Sequence, residues 1–145
     1  MKESDVQRLF GKQNKLFGAF ELKFTKGKSI SFEAVAAHQI KSLLAISKDG
    51  LYHKLIDPPI FPGMKTRFNA PRPFDCFNLK EIPAYIVAVF YEPNRKKTAY
   101  YIPIDDFVMM QKEVENGRLG EKPRKSFTEP HAEVYAEHFL ELKNI

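Results

Sequence analysis

The stretch AFELKFTKGKSISFEAVAAHQIKSLL, residues 19–44, carries the organisation of the chain. Its first six residues alternate. Phe20, Leu22 and Phe24 fall on one face of an extended segment and Glu21 and Lys23 on the other, the period-two pattern of a strand with one apolar side. TKGKS supplies a basic turn. Ser31 stands where a helix cap belongs. From Phe32 to about Ser47 the spacing predicts a helix, with Ala36, Ile40 and Leu43 as its buried stripe. Gln39 falls on the border of that stripe, and His38 points away from it.

Working outward, residues 4–16 predict a helix with Ser4 as cap. Val6, Leu9, Phe10 and Gln13 share roughly one face, and Gly18 closes the segment. On the other side, LYHKLI (51–56) and PFDCFNL (73–79) predict two short strands. The loop between them, DPPIFPGMKTRFNAPR, is rich in proline and basic residues and far longer than a tight hairpin turn needs. AYIVAVFY (84–91) predicts a strand buried on both faces. EPNRKK turns the chain, TAYYIPI returns it, and DDFVMMQKEVEN starts a short helix. GRLGEKPRKSFTEP reads as a polar linker. The last helix is expected from about 129 to 143, with Thr128 as cap and Pro130 in its first turn. The expectation is one α/β domain, residues 1–145, with a mixed central sheet flanked by helices. Its core would run to about residue 110, followed by a C-terminal linker and helix over 117–145.

A chain of 145 residues can bury a core without disulfide staples. Its single cysteine, Cys76, excludes an internal disulfide and a multi-cysteine zinc site. The longest apolar run, AYIVAVFY, is too short to span a bilayer. The N-terminal MKESDVQRLF has charges where a signal peptide needs an apolar stretch, so a cytoplasmic protein is expected. The net charge of +5 divides into +8 over residues 1–104 and −3 over 105–145. A basic body with a more acidic tail suits a polyanion partner, although modest positive charge also serves solubility alone.

Three familiar sites fail on spacing. In TKGKS the leading glycine of a phosphate-binding loop would fall at Leu22. The histidines at 38, 53, 131 and 138 do not make H-E-x-x-H. Cys76, between Asp75 and Phe77, lacks an activating context and suits a small core filler. A carboxylate site survives. Glu21 and Lys23, two apart on a strand, project from the same face. Asp75 sits among Phe74, Cys76 and Phe77 and needs a partner there. Brought together, Glu21 and Asp75 would require a cation, and hard carboxylate oxygens select Mg²⁺ or Mn²⁺. Such an ion activates water and neutralises charge on phosphorus, with Lys23 beside it to assist the water. An ordinary exposed Glu–Lys pair would show the same local pattern.

The segment FELKFTKGKSISFEAVAAHQIKSLL resembles the catalytic strand and following helix of Holliday junction resolvases of the PD-(D/E)XK nuclease superfamily, the bacterial RecU type and its phage-borne relatives among them. Glu21-Leu22-Lys23, then Phe32, then His38-Gln39-Ile40 match that pattern in order. AYIVAVFY and KKTAYYIPIDDF resemble its closing strand pair. The resemblance implies a restriction-endonuclease-like core and a metal-dependent endonuclease that cuts branched DNA at four-way junctions as a homodimer. It implies no small-molecule cofactor and no membrane. Glu21, Asp75, Lys23 and Gln39 would form the catalytic set, with Glu21 and Asp75 on the metal. One departure stands out: no Asp-bearing strand precedes Glu21. The 51–79 strand pair is therefore expected in the missing hairpin's place, with Asp75 supplying the acid. Asp57 is its competitor, and Glu3 or Asp5 could add an outer carboxylate from the first helix. DNA contacts are expected from Lys12, Lys15, Lys26, Lys28, His38, Arg67 and Arg72.

Overall fold

The structure, a computed structural model, describes residues 1–49, 51–54, 76–79 and 82–144. Along the chain run helix α1 (Glu3–Gln13), strands β1 (Ala19–Thr25) and β2 (Ser29–Ser31), and helix α2 (Ala37–Asp49). Strands β3 (Leu51–Lys54), β4 (Cys76–Leu79), β5 (Ala84–Phe90) and β6 (Lys97–Pro103) follow. Helix α3 (Ile104–Glu115), strand β7 (Ser126–Thr128), helix α4 (Glu129–Tyr135) and strand β8 (His138–Leu142) complete it. Four strands make a mixed sheet in the order β1-β5-β6-β8. β1 and β5 are parallel, and the other two pairings are antiparallel. The expected α/β class with a mixed central sheet flanked by helices is what the chain forms.

β5 is buried along its whole length, as its unbroken apolar run requires. Its residues divide between two layers. Tyr85, Val87 and Val89 face α1 through Val6 and Phe10. Ile86, Ala88 and Phe90 face the side of α2, α3 and α4 through Leu43, Phe107, Met110 and Ala132. Phe20, Leu22 and Phe24 of β1 join the α1 layer. Glu21 and Lys23 therefore project into the α2 layer, beside their register partners Ile86 and Ala88.

Several boundaries differ from expectation. α1 begins at Glu3, where Asp5 accepts the Lys2 backbone N–H at 3.1 Å, so Ser4 is not its cap. It ends at Gln13, short of the expected residue 16. Ser31 does act as a cap, its Oγ accepting the Glu33 N–H at 3.2 Å, but of a single 3₁₀ turn, Phe32–Ala34. Phe32 and Val35 are both buried, and extended backbone at Val35 separates this turn from α2, which starts only at Ala37.

The expected C-terminal helix over 129–143 is two elements. Extended backbone at Ala136 ends α4, and His138–Leu142 runs as β8 against β6. The sequence HFLEL alternates in burial, and β6 otherwise lacks a partner on that edge among the described strands. The linker before α4 also holds structure: β7 pairs with β2, setting Ile30 opposite Phe127. With Phe127, Ala132 and Leu142 buried, the C-terminal segment belongs to the core. β3 and β4 do form the expected antiparallel pair. They make a two-stranded sheet of their own, however, and do not extend the edge of β1. Among the described residues no helix is long and apolar enough to cross a membrane.

Candidate active site

The structure brings Glu21, Lys23 and Gln39 together. β1 holds Glu21 and Lys23 on one face, and the Lys23 ammonium lies 3.2 Å from Glu21 Oε1. Gln39 arrives from the first turn of α2 and donates from Nε2 to the same oxygen at 2.8 Å. Its Oε1 accepts the Ala36 backbone N–H at 3.0 Å. Gln39 thus occupies the third helical position, where a side-chain acceptor satisfies the N–H of the residue ahead of the helix. That bond fixes the amide orientation. A flipped amide would set its oxygen against a carboxylate and its NH₂ against an N–H donor. One side chain both starts α2 and aims a donor at β1, 18 residues earlier.

The site is partly enclosed. Lys23 and Glu21 side chains keep 13% and 28% of their exposure, and β5 backs them with buried Ile86 and Ala88. Glu21 Oε1 is satisfied by an ammonium and an amide. Among the described residues nothing donates to Oε2, which leaves a hard oxygen for a cation or water. The donor set fits Mg²⁺ or Mn²⁺ in kind, since such ions take one or two carboxylates and complete their shell with water and phosphate. No three His, Cys, Asp or Glu side chains gather among the described residues, where Glu21 is the carboxylate the site presents.

Asp75, the expected second ligand, and its competitor Asp57 lie outside the described residues, as do Arg67 and Arg72. Lys26 and Lys28 are exposed in the turn after β1, and His38 is exposed on the first turn of α2. Lys26 and Lys28 follow the C-terminal end of β1, and α2, which carries His38, packs on the layer into which Glu21 projects. Lys12 and Lys15, by contrast, sit at the end of α1, which packs on the opposite layer. Neighbours of the site in sequence, they belong to the other side of the sheet. Glu3 reaches the edge of β1, where its carboxylate accepts the Phe24 N–H at 3.4 Å. Asp5 is engaged within α1 by Lys2 and by Arg8 at 3.6 Å.

Sequence reasoning passed over Arg95 and Lys96, read only as part of a turn. The signal was present: R-K-K in a turn that follows a strand parallel to the one bearing Glu21. No protein-family model, curated protein or solved structure matches the chain.

Proposed function

We propose that this protein is a metal-dependent DNA endonuclease with a restriction-endonuclease-like core, acting on four-way junctions as a homodimer. The observation that supports this reading is the convergence of Glu21, Lys23 and Gln39 from a strand and a helix start onto one carboxylate oxygen. Glu21, with Asp75 as second carboxylate, would hold Mg²⁺ or Mn²⁺. A divalent ion so held supplies charge neutralisation on phosphorus and a more acidic water. The protein's own groups do the rest. Gln39 restrains Glu21 so that the carboxylate is oriented before substrate arrives, as supporting hydrogen bonds do for ligating groups. Lys23, largely enclosed and held beside Glu21, would orient the attacking water and contact the scissile phosphate. Hydrolysis leaves a 5′-phosphate and a 3′-hydroxyl, as in the nucleases the sequence resembles.

The Glu21–Lys23 pair also suits a basic nucleic-acid-binding module that performs no chemistry, since the ammonium alone neutralises the carboxylate. Incubation of the purified chain with labelled four-way junction, linear duplex and single strand, with Mg²⁺ or Mn²⁺, separates the readings. Paired nicks in the junction that vanish in Glu21→Gln, with junction binding retained, are expected. Preferential cutting of linear duplex would point to another DNA substrate for the same chemistry. Intact DNA under both metals would leave the binding module.

A further inference from the structure

Beyond the C-terminal end of β1 lies a cleft of about 480 Å³ between two basic turns and the start of α4. Lys28 lines it from the β1–β2 turn, and Tyr91 and Arg95 from the β5–β6 turn. The lining carries two cations, Lys28 and Arg95, and two carboxylates, Glu92 and Glu129, while Lys26, Lys96 and Lys97 extend the positive charge along the two turns beside it. The cleft continues the face that carries the site. Phe90, which lines it, is the register partner of Thr25, and Thr25 follows Lys23 by two positions on the same face. Along a strand Thr25 then lies about 7 Å from Lys23 and about 13 Å from Glu21.

The turn that presents Arg95 and Lys96 is braced from within. Asn94 takes a left-handed conformation at φ 62°, reversing the chain so that three cations follow in succession. Lys97 is buried. Its ammonium donates to the Arg95 carbonyl and lies 4.9 Å from the centre of the Tyr91 ring. A buried cation that sees a carbonyl and an aromatic face, and no carboxylate among the described residues, keeps the local potential positive. Arg95 and Lys96 themselves are exposed. Arg95 is paired with Glu92 at 2.6 Å and Lys96 with Glu141 at 3.5 Å, both in exposed contacts that a phosphate oxygen can displace. Glu129 at the cleft wall is engaged by the Tyr100 hydroxyl at 2.7 Å.

The geometry points to this cleft and the β5–β6 turn at its rim as the seat of DNA phosphates beyond the scissile one, with Arg95 in the cleft and Lys96 on the turn beside it as contacts that position the strand over Glu21. It rests on the nuclease reading for the identity of the polyanion. Contacts of this type bind without reading bases.

The test uses fluorescence anisotropy of a labelled four-way junction in EDTA, on full-length protein carrying Glu21→Gln. Adding Arg95→Ala and Lys96→Ala is expected to raise Kd roughly tenfold near physiological salt and to lower the slope of log affinity against log salt by about 1–2. Lys48→Ala with Lys112→Ala removes the same charge elsewhere and is expected to shift Kd less than about twofold. Equal losses in the two pairs, or no junction binding by the parent, would overturn the cleft. Because all four side chains are exposed, both variants should melt with the parent. Nicking by wild-type protein with Mg²⁺ is scored separately. A selective loss of binding without nicking keeps the cleft and removes the nuclease; nicking with equal losses does the reverse.

Discussion

Glu21 is held by two residues that answer to different needs. Lys23 satisfies its charge, and Gln39 satisfies its direction while also capping α2. The two roles of Gln39 can be separated. Gln39→Ala removes both and is expected to cost about 0.5–1 kcal/mol of stability through the lost cap. It should also lower junction cleavage roughly 10–100-fold, the range for groups that orient a ligating side chain. Gln39→Glu restores an acceptor for the Ala36 N–H and offers no donor to Glu21. Urea denaturation and single-turnover cleavage should then diverge: the cap's share of stability returns, less the repulsion between the new carboxylate and Glu21, and activity does not. If both recover together, Gln39 acts only on the helix. These residues were legible because strand alternation puts Glu21 and Lys23 on one face whatever surrounds them. The border position of Gln39 on its helix was legible for the same reason. That α1 would carry Lys12 and Lys15 to the other layer was not, since the side of the sheet a helix takes depends on its distant partners.

At the scale of elements, the pairing of β2 with β7 determines how the turn after β1 is held. Each is three residues long, too short to stand alone, and each is anchored by one buried side chain, Ile30 and Phe127. Phe127 packs against Phe32, Phe107 and Phe90, with ring centres 5.4, 5.8 and 6.1 Å away. Phe127→Ala is therefore expected to cost about 3–5 kcal/mol. It should also speed amide exchange at residues 29–31 more than in β5. A loss under about 1 kcal/mol would show that the cluster repacks and that β7 is not the anchor. The segment containing β7 reads as a polar linker because one phenylalanine among charged and small residues has no periodicity to display. Its strand exists only because β2 lies opposite.

At the scale of the whole molecule, the layer between α1 and the sheet is an aromatic box. Tyr101 lies 5.4 Å from Phe10, 5.8 Å from Phe20 and 5.9 Å from Tyr85, ring centre to ring centre. Its hydroxyl donates to Asn14 Oδ1 at 2.8 Å. Burial pushes its pKa up to about 12. Tyr135 is pushed up to about 12 by burial and then by its hydrogen bond to Glu113. Tyr100 rises further still, by burial first and then by Glu129. Unfolded tyrosines ionise near pH 10. A group whose pKa is raised on folding stabilises the native state fully below the unfolded value and loses that contribution as pH climbs through the folded one. Stability should thus hold to about pH 10 and fall steeply towards pH 12. Tyrosinate absorbance should rise in two stages, the second coinciding with loss of the circular-dichroism signal. Complete ionisation of all six tyrosines while the fold persists would contradict this.

Residues 19–25 and 84–90 had their conformation written into local order: alternation in the first, an unbroken apolar run in the second. The converging trio of Glu21, Lys23 and Gln39 could be named from the same local order, because side-chain direction on a strand or helix follows from position alone. Strand β8, the 3₁₀ turn before α2, the β2–β7 pair and the cleft between the two basic turns came from packing. In each case the deciding hydrogen bond or buried contact joins residues far apart in the chain. Backbone groups at a sheet edge must find partners wherever the fold supplies them, and no window of neighbouring residues carries that information.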